Sequence, residues 1–73
     1  MKKTREGHEI KAGECYQVRN GQKMFVSGFK KNGLVIGLVQ GEHSTRVWSD
    51  DGLIVYYAEY PGSDYDIMRP WSF

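Results

Sequence analysis

The chain has little of what usually staples or interrupts a small protein. It holds one cysteine, Cys15, and two prolines, Pro61 and Pro70, in 73 residues. A single thiol excludes an internal disulfide and the multi-thiolate zinc sites that hold many small domains together. It also suits a reducing compartment better than an oxidising one. No apolar run approaches the roughly 18 residues of a membrane span. The start, Met1-Lys2-Lys3-Thr4-Arg5-Glu6-Gly7, is charged and no apolar stretch follows it, so it does not read as a secretory signal. These absences point to a cytoplasmic protein without membrane contact. Helical periodicity is missing too, since no segment keeps it over the length a stable helix needs.

Constellations that carry catalysis are equally scarce. His8 lies near the start and His43 in a polar loop, and Cys15 has no histidine beside it in sequence. Asp50 and Asp51 belong to a turn that favours Asp for backbone reasons. Asp64 and Asp66 suit the start of the last element. The nine glycines are scattered, and none forms a phosphate loop ahead of a helix. The expectation is a protein that is not an enzyme and has no metal or cofactor.

What the chain does have is turn chemistry. Asn20-Gly21, Asn32-Gly33 and Asp51-Gly52 each fall between apolar, β-branched or aromatic runs. Such pairs tolerate the positive φ angles of tight hairpins. The spacing predicts strands at 15–19, 23–29, 34–39, 44–48 and 53–57, with 64–69 as one helical turn or a closing sixth strand. The fold class is therefore all-β: a small SH3-like barrel or a strongly curved antiparallel meander of five to six short strands. Residues 1–10 lack periodicity and read as a flexible arm ahead of a single domain at 11–73.

Register follows if each glycine closes a three-residue loop, a type I turn followed by a bulge. Val18 then faces Gln22, Tyr16 faces Met24, Val26 faces Leu38 and Gly28 faces Ile36. One surface collects Tyr16, Val18, Met24, Val26, Leu34, Ile36 and Leu38, and the third hairpin adds Val47, Leu53, Val55 and Tyr57. Gly28 and Gly37, inside strands, read as sharp bends.

The other side of that hairpin would carry Arg46, Trp48, Ile54 and Tyr56. An arginine beside two large aromatics is a surface able to stack on a base or anchor a partner protein. Phe25 and Phe29 would share the equivalent side of the second strand. These aromatics serve equally well as a second small core beneath the chain ends. The ten aromatics of the chain exceed what so small a barrel hides, which favours an interface for some of them.

Charge is lopsided along the sequence. Residues 1–31 carry +5 and residues 32–73 carry −4, for a net +1. Interleaved strands would mix the two halves, so this need not give opposed faces. Lys23, Lys30 and Lys31, with Arg46, are the secondary candidates for an anionic partner.

Taken as a set, Tyr16-x-x-Arg19-Asn20-Gly21-x-Lys23, Trp48-x-x-Asp51-Gly52 and Asp64-Tyr65-Asp66-Ile67 resemble short uncharacterised proteins of enterobacterial phages and prophages. The resemblance covers residues 15–69 and implies an accessory or host-takeover factor made in the bacterial host cytoplasm. It carries over no site residues. The expected function is a small binding module that engages or inhibits a host or phage protein. Nucleic-acid or nucleotide binding is the alternative, and a homodimer is a further option.

Overall fold

The computed structural model describes residues 2–55 and 64–72. The chain is all-β: β1 (Cys15–Val18), β2 (Lys23–Phe29), β3 (Val35–Val39), β4 (Arg46–Trp48) and β5 (Ile67–Pro70). They form one antiparallel sheet in the order β4-β3-β2-β1-β5, curled strongly into a half-barrel meander, with no helix among the described residues. The tail takes the strand alternative and pairs with β1.

All three glycine turns close in the same way. Gly21, Gly33 and Gly52 have φ of 94°, 90° and 81°. Their N–H groups donate to Val18, Lys30 and Ser49. The residues outside each loop then pair: Val18 N–H with Gln22, Lys30 with Leu34, and Ser49 with Leu53. This is the three-residue loop that the Asn-Gly and Asp-Gly steps predict. Tyr16 accordingly faces Met24, Gly28 faces Ile36, and Trp48 faces Ile54.

One residue of β2 changes the faces. Ser27 is bulged out of the β2–β3 ladder, so Val26 pairs with Gly37 and not with the expected Leu38. An extra residue shifts everything beyond it to the opposite face. In β3 the inward residues are therefore Val35, Gly37 and Val39, while Ile36 is half-buried and Leu38 exposed. β4 inherits the shift through the Val35–Trp48 pair. Trp48 and Ile54 point inward; Val47 and Leu53 are half-buried and Val55 is exposed. The core face predicted for β3 and the third hairpin is thus the outer one; Tyr57 lies outside the described residues. Phe25 and Phe29 are also parted, because Phe29 pairs with the inward Val35 and Phe25 with the outward Leu38.

The core is one cluster: Ile10, Tyr16, Val18, Met24, Val26, Val35, Val39, Trp48, Ile54 and Ile67, with Tyr65 packed against it. Gly37 makes room for its largest member. A Cβ there would lie 2.6 Å from the Phe25 carbonyl oxygen, 2.7 Å from Met24 Cε and 3.1 Å from Trp48 Cζ3. Gly37 is thus a packing position, whereas Gly28, beside the bulge, meets nothing within 4 Å.

The first ten residues, expected as a flexible arm, are docked where described. Lys3 bridges Glu9, and Thr4 N–H donates to the His8 carbonyl, making a small hairpin. Its far side donates from Arg5 and Glu6 to the carbonyls of Ile67 and Met68 in β5, and from Lys3 to Asp50. The segment thereby covers the free edge of β5 and ties it to the 49–52 turn. Ile10 and Thr4 are buried in the process, which supplies an apolar reward that the unpatterned sequence concealed.

Candidate interaction surface

The surface expected from Arg46, Trp48, Ile54 and Tyr56 does not assemble. Trp48 is 0% exposed, and its indole Nε1–H donates to the Tyr65 carbonyl at 2.6 Å. Ile54 is buried beside it, and its N–H donates to Asp66 Oδ1 at 3.0 Å. Neither is available to a partner, and Trp48 cannot stack on a base. Arg46 is half-buried, held bidentately by Glu42 at 2.7 and 3.0 Å, with its guanidinium 4.2 Å from the Tyr65 ring centre. Tyr56 lies outside the described residues. Trp48, Ile54 and Arg46 thus bring β4 and the chain after its turn against the segment that precedes β5.

A different surface is exposed. The outer side of β3 carries Ile36 and Leu38, with Leu34 just ahead of the strand, flanked by Phe25 on β2 and Val47 on β4. Phe25 and Leu38 face each other and are 44% and 36% exposed. Cys15 on β1 continues the row on the far side of Phe25, and Trp71, whose N–H donates to the Cys15 carbonyl, ends it. A recess of about 250 Å³ lies in this row, lined by Cys15, Lys23, Met24, Phe25, Leu38 and Gln40. An antiparallel sheet with one packed face ordinarily turns polar residues outward. Here β3 is apolar on both faces.

The secondary basic residues border this stripe. Lys23 precedes Phe25 by two positions on β2, and its ammonium lies 5.6 Å from the Trp71 ring centre. Lys30 pairs with Leu34 at the other end, and Lys31 is exposed at the tip of the same hairpin. The five strands hold Lys23, Arg46 and Arg69 and no acidic residue. Phe29 stands apart at the inner rim, with Lys2 Nζ 4.8 Å from its ring centre.

A larger recess, about 630 Å³, opens beside Glu42, His43, Ser44, Thr45, Arg46 and Val47. Its described walls are a single stretch of loop and strand. Glu42 there is held below the usual carboxylate range by its hydrogen bonds from Arg46, which keeps the pair charged and mutually satisfied. Glu6 is lowered in the same way by Arg69, which also donates to Gln17 Oε1 at 2.7 Å. These two carboxylates are each held by an arginine.

The outer stripe carries a signal that the sequence does show. Residues 34–39 read Leu-Val-Ile-Gly-Leu-Val, an unbroken apolar run, whereas each of the other four strands carries at least one polar or charged side chain. Such runs belong to strands covered on both sides. Comparison with protein-family models, with curated proteins and with solved structures returned no match to this chain.

Proposed function

We propose that this chain is a small non-enzymatic binding module that docks on another protein through the outer face of its sheet. The observation that carries the reading is the exposed apolar stripe on β3 and its neighbours, opposite a complete core. Burying a large apolar side chain contributes about 1.5–3 kcal/mol. The pair Phe25 and Leu38, with Ile36 and Val47 around them, forms the compact apolar centre that interface hot spots require. The likeness of its turn motifs to phage and prophage proteins, and its lone thiol, support an accessory factor of the bacterial host cytoplasm that modulates or inhibits a host or phage target.

The test is a double substitution, Phe25→Ser with Leu38→Ser. Because the described structure leaves both exposed, the melting temperature should hold within a few degrees while capture of the partner from host lysate is lost. Unchanged capture by the folded variant would remove the outer face from the function. A collapse in stability would show instead that the stripe is covered within the chain.

A further inference from the structure

We propose that the outer stripe takes an acidic polypeptide segment that interleaves carboxylates with large apolar side chains. This rests on the binding-module reading and names the chemistry of the partner. Charge complementarity carries it. The strands of the sheet contain no Asp or Glu, and the apolar centre at Phe25, Ile36 and Leu38 is bracketed along the chain by Lys23 and Lys30. Of the other described acids, Glu6 and Glu42 hold arginines, Asp66 is buried, Asp50, Asp51 and Asp64 sit in turns, and Glu9 and Glu14 lie in the segment ahead of β1.

That distribution selects among occupants. A second copy would set one acid-free sheet against another, leaving lysines opposite lysines or apolar side chains, and like charges across an interface are unfavourable. A nucleic-acid strand needs rings to stack on and several cations to replace its counterions. The stripe offers two rings, Phe25 and Trp71, among aliphatic side chains, and the chain carries a net charge of only +1. Aliphatic ridges between two lysines suit apolar side chains flanked by carboxylates.

The probe is a fluorescein-labelled peptide of about twelve residues alternating Glu with Leu and Phe, read by anisotropy. Controls replace every Glu by Gln or by Lys, and a thymidine oligonucleotide of similar length tests phosphate. The acidic peptide should bind about tenfold more tightly than the Gln peptide at low salt, with the gap closing as salt screens it. Lys23→Glu with Lys30→Glu should abolish that preference yet leave Gln-peptide binding in place, and Leu38→Ser should weaken both. Equal binding of acidic and neutral peptides overturns the proposal while sparing the binding-module reading. Tighter binding of the oligonucleotide overturns it in favour of nucleic acid. Self-association that Leu38→Ser abolishes overturns it in favour of a second copy. The module reading itself falls only on the lysate experiment, so the two failures are separable.

Discussion

At Gly37 the inner face has no room for a methyl group. The closest obstacle is the Phe25 carbonyl oxygen, part of a paired strand that cannot swing aside as a flexible side chain does. Gly37→Ala must therefore push β3 off β2 or displace Met24 and Trp48, and overpacking of this kind costs about 1–3 kcal/mol. For a domain of this size each kcal/mol lowers the melting temperature by about 4–8 °C. Gly28→Ala is the internal control, since its Cβ would meet nothing within 4 Å and its φ is not positive. Thermal melts should show a clear loss at position 37 and little change at 28. Equal losses would mean that strand glycines act here through backbone freedom and not through packing. Asp66 makes the complementary point about legibility. Its sequence context suggested the start of a final element, and it does precede β5. Its 1% exposure, its ion pair with Arg19 at 3.3 Å and its bond from Ile54 N–H arise from segments far away in the chain.

Elements were legible where their cause is local. The Asn-Gly and Asp-Gly steps predict loops of three residues, and all three glycines adopt positive φ with the pairing that follows. The bulge at Ser27 was not legible, because β3 offers an apolar set on either face and local chemistry does not choose between them. The choice is made by Trp48, the bulkiest fully buried side chain, which needs the gap over Gly37. The hairpin at the start is not legible for a similar reason: its anchors belong to other elements. Tyr16 of β1 is one such anchor. Its hydroxyl donates to the Glu9 carbonyl at 3.1 Å and accepts from Lys11 N–H at 2.7 Å. Burial is the main cause that raises its pKa above the ordinary 10.0, outweighing the Lys11 N–H that favours the phenolate. The folded state thus prefers the neutral phenol. Its stabilisation is complete below the unfolded value and is lost as pH rises through the higher folded one. Tyr16→Phe should cost about 0.5–1.5 kcal/mol near neutrality, where the hydroxyl bonds are made. Denaturant midpoints of the two proteins should converge as pH climbs from about 9 to 11. A constant difference across that range would show that the Tyr16 hydroxyl has the same pKa in the folded and unfolded states.

On the scale of the whole molecule, the curled sheet leaves its margins to be joined by residues outside the strands. Trp48 to Tyr65, Ile54 to Asp66 and Ile67 N–H to the Gly52 carbonyl bring the third hairpin against the last element. The uneven charge of the sequence reappears here as pairs, Glu6 with Arg69 and Arg19 with Asp66, each linking the first half of the chain to the second. No opposed basic and acidic faces are needed to account for it. Residues 2–10 complete this join, since they touch both β5 and the 49–52 turn through backbone bonds. Removing residues 2–10 would uncover the carbonyls of Ile67 and Met68, take Ile10 out of the core and leave Tyr16 without its Glu9 acceptor. The burial of Ile10 alone contributes about 1.5–3 kcal/mol, against a total stability on the order of 5–15 kcal/mol that tends to its lower end in small domains. The truncated chain should unfold at a markedly lower denaturant concentration or lose its cooperative transition. Trp48 provides the optical readout, because a wholly buried indole bonded to a carbonyl should shift its emission to the red once water reaches it. A truncated protein with the full-length midpoint and an unshifted spectrum would show that the half-barrel closes without its N-terminal hairpin.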